Sequence, residues 1–563
     1  MMYGPQTRMA QELHQQKYCN EGESFYESQV RVANRLKDSD EHYQQIKDIF
    51  LNQRFMPAGR IQSAIGSPRK VTPFNCFVSQ TITDSFDSIM EGATKAGQTM
   101  RLGGGIGFDF SRLRPKGDRI VTLDSFSSGP LSFMEIYDAI CQTISSAGHR
   151  RGAMMGVLRV DHPDIEAFIK AKQETGKLEG FNLSIGITDE FMQAVEDGDL
   201  FTLQFQGRPY KQVDARNLWD TIMRSTWDWA EPGVLFIDTI NRMNNLWYCE
   251  QLETTNPCGE QPLPANGACL LGSFNLTKYL YYSDGVREFD WGQFVQDIPP
   301  VVRAMDKIHD LAIFPLPEQA QESHNKRRMG LGVTGMANAL EAMGHLYGSS
   351  EYLHIAEDIH RLLCIEAYKA SIELAKEKGC FPAYTDQYLA SPFIKRLPED
   401  VVDGIRQHGI RNSHLISYAP TGTISVCADN VSGSIEPVFA HSYDRRIVAP
   451  NGSFVTEVVQ DYNVWRYGVF GKKAAEVSPI QHLTAQAKAQ KWCDSAVSKT
   501  INIDSNCDWE EFKNIYMLAW RMGLKGCTTF NADGNRYGIL IDKETEGAKA
   551  CYINPETGAK ECS

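Results

Sequence analysis

Two prolines constrain the middle of this chain more than any other feature. In Glu253-Thr-Thr-Asn-Pro-Cys-Gly-Glu-Gln-Pro-Leu-Pro-Ala-Asn-Gly-Ala-Cys269, Pro257 and Pro262 each lack an N–H donor and hold φ fixed, so the stretch is not helical. On an extended chain, residues two apart share a side. Asn256, Cys258 and Glu260 therefore line one side of a loop, roughly 6–7 Å from one to the next. An amide that positions a hydroxyl, a sulfur that reacts and a carboxylate base make a working set. The spacing alone favours structure over chemistry: a lone cysteine is usually a small buried hydrophobe, and Asn-Pro-Cys-Gly makes a plausible turn. Cys269 adds a second sulfur further along.

At 563 residues the chain is too long for one ordinary core. Several domains, or one large barrel with additions, are expected. Hydrophobic content of 42% and charged content of 23% belong to a globular protein of the soluble class. No window of eighteen apolar residues spans a membrane, and the first residues carry no apolar stretch of a secretory signal. The 14 cysteines are scattered without close pairs. That predicts a reducing cytoplasm, with any disulfide being catalytic. A net charge of −13 with no basic run argues against a nucleic acid polymer as partner. Small phosphorylated molecules remain compatible, because backbone N–H groups at helix starts bind phosphate without net positive charge. No protein metal site is expected.

Along the chain, residues 1–70 read as a polar helical region, broken at Phe55-Met-Pro-Ala-Gly-Arg60. Phe74-Asn-Cys-Phe-Val-Ser reads as a buried strand carrying Asn75 and Cys76. Asp84-Ser-Phe-Asp-Ser88 starts a helix with N-cap residue types. Gly103-Gly-Gly-Ile-Gly107 leads into a strand rather than a helix, so it is not a dinucleotide fingerprint. Its glycines, Gly105 among them, let the backbone pass close to something, substrate or protein. Arg112 to Gly129, with Lys116, is a loop, and Gly148-His-Arg-Arg-Gly152 is a compact basic patch or a helix C-cap. Strands and helices then alternate, predicting an α/β fold with mostly parallel strands. Residues 297–380 read as mainly helical, and His414 to Ala419 as a short strand. The strand runs into Pro420-Thr421-Gly422-Thr423-Ile424-Ser425, an anion cradle or, equally, an N-cap turn. A last strand ends at Phe530. A polar tail from about Ile541 holds Cys551 and Cys562.

These pieces, in this order from about Lys17 to Leu540, resemble the catalytic subunit of ribonucleotide reductase. Asn256-Pro-Cys-Gly-Glu260 looks like the family's radical loop, Cys76 and Cys269 like its reducing thiols. Pro420 to Ser425 looks like its substrate-phosphate turn, and Asp84-Ser85 with Lys116 like part of its effector site. The resemblance implies a ten-stranded α/β barrel over residues 71–540, with the loop bearing Cys258 threaded through its centre. Residues 541–563 would be a flexible redox tail. It implies that a thiyl radical on Cys258 takes hydrogen from the ribose, with Glu260 as base and Asn256 holding the sugar hydroxyls. Cys76 and Cys269 would supply two electrons. Implied partners are a ribonucleotide, a dNTP effector, a thioredoxin-like reductant and a second copy in a homodimer.

The subclass turns on how Cys258 is oxidised. One branch relays a radical from a metal-containing subunit through paired tyrosines on the last barrel strand, where this chain reads Cys527-Thr-Thr-Phe530. That segment, the Pro420–Ser425 turn and the spacing from Cys258 to Cys269 resemble the adenosylcobalamin-dependent class II enzymes. A glycyl-radical enzyme is disfavoured, since the C-terminal segment lacks an Arg-Gly-Tyr signature. The chain starts just before the helical region, so no ATP cone and no overall activity control are expected. No Asp-x-His-x-x-Gly motif offers cobalamin a histidine. The alternatives are the catalytic half of a two-subunit reductase and a nucleotide-binding barrel that has lost catalysis.

Overall fold

The computed structural model describes residues 3–146, 150–151, 153–173, 176–448, 454–503, 507–531, 541–542, 551–553 and 560–562. Most of the basic patch Gly148–Gly152, Glu174 and Thr175 of the Gln173–Gly180 loop, and most of the tail lie outside the described residues.

The N-terminal region is helical as expected, with helices at Arg8–Tyr18, Phe25–Leu36 and Asp40–Leu51. The second is fixed at its start by a capping box. The Ser24 hydroxyl accepts from the Glu27 N–H, and the Glu27 carboxylate accepts from the Ser24 N–H. The break at Phe55 forms an edge strand of the main sheet, a place where a proline such as Pro57 is tolerated.

Ten strands make that sheet: β1 (Phe55–Pro57), β2 (Cys76–Val78), β3 (Gly105–Asp109), β4 (Met154–Arg159), β5 (Phe181–Ile187), β6 (Gly233–Phe236), β7 (Ala268–Asn275), β8 (Met329–Thr334), β9 (Thr500–Ile503) and β10 (Gly526–Asn531). Their order is β1-β7-β2-β3-β4-β5-β6-β10-β9, with β8 also paired to β7. β2 through β6 run parallel to their neighbours. β7 with β8, and β9 with β10, are two more parallel pairs. These blocks meet antiparallel at β7–β2 and β6–β10. The sheet is thus mixed, and among the described residues its ladders do not close into a ring. Single bridges join Leu331 of β8 to Ile416, and Tyr418 to Val497.

Helices connect the parallel strands and cover them. Phe86–Arg101 joins β2 to β3 and buries Ile89, Ala93, Ala96 and Met100, one face at helical spacing. Tyr137 of helix Pro130–Thr143 locks against it, donating to the Ile89 carbonyl at 2.6 Å. β7 and β8 are buried at every position, as strands covered on both faces are. β8 interrupts a region whose apolar content reads as helix. Its short run Met-Gly-Leu-Gly-Val-Thr has no strand alternation to announce it. The tail contributes a separate two-stranded hairpin, Cys551–Ile553 against Lys560–Cys562, with Cys551 directly opposite Cys562. Among the described residues no helix is long and apolar enough to cross a membrane.

Candidate active site

The proline-bracketed stretch forms a narrow hairpin. Thr254 and Thr255 pair with Leu263 and Pro262, and the turn closes through Asn256 N–H to the Gln261 carbonyl (3.1 Å). Gly259 N–H donates to the Asn256 carbonyl at 3.0 Å, with Gly259 at φ +82°, where a side chain would be strained. The hairpin lies directly on β3. A Cβ on Gly107 would sit 1.8 Å from the Thr255 carbonyl oxygen, and one on Gly105 3.1 Å from Pro257 Cγ. The close approach read from these glycines is therefore to protein. The tip is further held by Asn182 of β5, which donates to the Pro257 carbonyl (2.9 Å). Ser417 Oγ and Ala496 N–H both donate to the Glu260 carbonyl (2.9 and 3.0 Å).

Three of the expected residues converge on the buried side. Asn256 accepts from Gln261 N–H through Oδ1 at 2.9 Å, which turns Nδ2 toward Cys76 Sγ at 3.2 Å. Cys76 Sγ lies 3.6 Å from Glu260 Oε1, and Glu260 Oε2 is buried with no hydrogen-bond partner. An acceptor left bare inside a protein is costly unless something donates to it. Burial raises the Glu260 carboxyl above the ordinary range, opposed by its contacts with Asn256 and Cys76. Cys269 faces Cys76 across the β2–β7 antiparallel register. Directly opposed antiparallel residues have Cα atoms about 4.5–5.5 Å apart, within the range that a disulfide spans. Neither sulfur is bonded to another here, and burial pushes both thiols well up.

Cys258 differs from both in being exposed. It opens on a cavity of about 300 Å³ that Asn182, Pro257, Pro420, Lys499 and Thr528 also line. Of the Pro420–Ser425 turn, Gly422–Cys427 is a short helix, and Pro420, Gly422 and Thr423 are exposed while Ile424 and Ser425 are buried. The Thr421 hydroxyl is taken up internally by Thr334 Oγ1 (3.1 Å) and Ser434 N–H (2.8 Å). Asn75 sits beside the site, its carbonyl accepting from Gly105 N–H (2.9 Å) and its Oδ1 buried without a partner.

The expected effector residues gather elsewhere, at the start of helix Phe86–Arg101. Arg114 donates to Asp84 through Nε (2.7 Å) and its backbone N–H (3.1 Å). The Ser85 hydroxyl accepts from Ser88 N–H (3.2 Å), and Lys116 N–H donates to Asp164 (2.9 Å). Asn182, Ser417 and Lys499 escaped sequence reasoning. Asn182 had a signal, a lone amide in the apolar strand Phe181–Ile187. Lys499 had none.

A family model described as "Ribonucleotide reductase, barrel domain" matches residues 74–530. The chain belongs to the ribonucleotide reductase family. A vitamin B12-dependent ribonucleoside-diphosphate reductase of Mycobacterium tuberculosis is 37% identical over 496 residues, covering 83% of this chain and 68% of that protein. One of the same name from Thermoplasma acidophilum is 35% identical over 505 residues, covering 84% and 63%. A vitamin B12-dependent ribonucleotide reductase of Streptomyces clavuligerus is 29% identical over 581 residues, covering 88% and 60%. Within this reductase the hairpin, both opposed sulfurs and the Pro420–Ser425 turn all fall inside the matched span.

Proposed function

We propose that the chain reduces ribonucleoside diphosphates to 2′-deoxyribonucleotides by thiyl-radical chemistry, with adenosylcobalamin as the radical source. The observation that carries this is the hairpin: Cys258 is exposed at the cavity, and Asn256, Glu260, Cys76 and Cys269 are buried close by, with Cys258 near enough to act on the Cys76 thiol. The exposed sulfur and the cavity beside it fit a bulky radical donor. Thr528 and Thr529 stand where the two-subunit alternative needs paired tyrosines. When bound, adenosylcobalamin supplies the oxidising equivalent that makes Cys258 a thiyl.

The remaining steps belong to this chain. Cys258 takes the hydrogen atom from C3′ and returns it at the end of the cycle. Glu260, with Oε2 free and buried, accepts the 3′-hydroxyl proton, and Asn256 orients the sugar hydroxyls. The 2′-hydroxyl leaves as water. Cys76 and Cys269 give two hydrogens' worth of electrons and protons and close a disulfide. The buried setting excludes water and side reactions. The turn at Pro420, Thr421, Gly422, Thr423, Ile424 and Ser425 is assigned to the substrate phosphates, with Asn75 at the sugar side, while Gly105, packed on Pro257, supports the hairpin instead.

Around this centre, the bridges at Ile416 and Tyr418 support a barrel closed over 71–540 with the Cys258 hairpin inside it. A dNTP effector is placed at Asp84, Ser85 and Lys116. Phe86, Val121, Leu123 and Phe126 are 67–78% exposed beside it, an apolar edge suited to a homodimer contact. The opposed Cys551 and Cys562 suit a shuttle to a thioredoxin-like reductant. The twelve cysteines from Cys19 to Cys527 are free of disulfides, which supports a reducing compartment. The purified chain, given a dithiol and adenosylcobalamin but no second protein, should form deoxynucleotide. Activity only on adding a metal-loaded partner would instead favour the two-subunit reading.

A further inference from the structure

We propose that the two reducing thiols are electrostatically unequal: Arg328 makes Cys269 the leaving thiolate, so that the incoming reductant attacks Cys76. This rests on the assignment of Cys76 and Cys269 as the reducing pair.

The run Lys326-Arg327-Arg328 ends helix Pro317–Lys326 and enters β8. Arg327, at φ +47°, turns toward Asp306 and Asp310, at 2.8 Å from each. Arg328 turns the other way and is 3% exposed. Its guanidinium donates to Glu322 (3.1 Å), to Glu250 and to His414 Nδ1 (3.3 Å). The histidine cannot be a competing cation. Its Nε2 donates to Asn244 Oδ1 (3.2 Å), an oxygen that also accepts from Leu246 N–H. That leaves Nδ1 as the lone-pair acceptor of a neutral ring.

The parallel register of β7 and β8 begins with Leu270 beside Met329, and the residues just before that first pair, Cys269 and Arg328, are close enough for the guanidinium to act on the sulfur. Arg328 is the strongest charge acting on the Cys269 sulfur and opposes the upward push of burial. Asp494 and Glu260 act on it in the other direction. No cation is among the leading influences on Cys76. Its charged neighbour is the Glu260 carboxylate, which pushes its thiol further up. Exposure points the same way, with Cys76 at 3% and Cys269 at 0%.

In thiol–disulfide exchange the better leaving group is the sulfur of lower pKa. A reductant thiolate bonds to Cys76 Sγ, the Cys76–Cys269 bond breaks, and its electron pair leaves on Cys269 beside Arg328. The reductant's second thiolate then attacks its own mixed disulfide and releases Cys76. Two protons and two electrons pass from the reductant to the pair.

The test uses full-length enzyme with both tail cysteines replaced, Cys551→Ser and Cys562→Ser. It is loaded with adenosylcobalamin and given a ribonucleoside diphosphate without reductant. Non-reducing peptide mapping first checks for the Cys76–Cys269 link. A brief pulse of 2-mercaptoethanol, acid quench and alkylation then show which sulfur carries the adduct. We expect an excess of about three-fold or more on Cys76. Arg328→Met should bring the two sulfurs toward equality, while Arg328→Lys, which keeps the charge, should preserve the excess. Should Arg328→Met fail to fold, Glu250→Gln, which frees the guanidinium from a competing carboxylate, should enlarge the excess. A link whose adduct sits mainly on Cys269, or an excess indifferent to these replacements, overturns the proposal alone. Absence of the link overturns the reducing pair and the proposal with it.

Discussion

Cys76 faces Cys269 across β2 and β7, and Cys551 faces Cys562 across the short tail hairpin. The local device is the same in both, two cysteines directly opposed in an antiparallel pair. The settings are opposite. The first pair comes from strands 193 residues apart, embedded in a ten-stranded sheet beside Glu260 and Arg328. The second spans eleven residues and among the described residues pairs with no other strand, and a lone two-stranded hairpin is marginally stable at best. Strand register sets two cysteines opposite each other in either case. The surroundings decide whether it meets substrate or the outside reductant.

The largest effect should come from the sheet-borne site. Cys258→Ser should reduce deoxynucleotide to background with nucleotide binding retained, and peptide maps should show Cys76 and Cys269 still unlinked after incubation with substrate. Cys76→Ser or Cys269→Ser should also lose the first turnover. Appreciable product from Cys258→Ser would remove it as the radical site.

Replacing both tail cysteines by serine should act later in the cycle. A pre-reduced enzyme should complete its first turnover normally, while sustained turnover with thioredoxin should fall more than about ten-fold. A small dithiol should restore much of the rate. Normal turnover with thioredoxin would mean that the two pairs are not partners.

A third, smaller effect separates chemistry from its control. A dNTP should change base preference by about five-fold or more, a coupling of about 1 kcal/mol. Asp84→Asn, which weakens the Arg114 contact, should blunt that change and leave both cysteine pairs exchanging as before. Base preference that is identical with every dNTP would remove the effector assignment.

The last test is a control on stability, outside the redox cycle. Glu341 is buried on helix Met336–Ala342, and its Oε1 accepts from Tyr347 and Lys472 N–H. Burial raises its carboxyl from 4.5 to about 7. Between those values the folded chain holds a proton that the unfolded chain has lost, so stability falls as pH rises through the window and levels off above it. Glu341→Gln cannot ionise. Its unfolding free energy should gain on the parent's from pH 4.5 to 7, by on the order of 3 kcal/mol, seen as Tm curves that diverge over that window without change in either cysteine pair. Parallel Tm curves would show that Glu341 does not titrate in this way.

Much of the site was legible because its chemistry is local. Asn256, Cys258 and Glu260 are bracketed by prolines that forbid a helix, and helix starts at Ser24 and Ser85 carry their own caps. What was not legible depends on register. Nothing in the sequence around Arg328 says that it lies beside a cysteine 59 residues earlier; the β7–β8 pairing creates that neighbour. β8 itself was missed because a six-residue apolar run with two glycines has no period to read. The glycines at 103–107 were read correctly as a close pass. Whether they faced substrate or chain needed the hairpin in place.

Gly107 illustrates a wider consequence. It carries no side chain, yet any side chain there collides with the Thr255 carbonyl, three residues before the Cys258 sulfur. A mutational scan scored by growth would mark it as intolerant as Cys258, and a catalogue of catalytic residues would omit it. In a library built to retune this enzyme, position 107 is where diversity would be wasted, because the place of the sulfur there is set by an atom that must be missing.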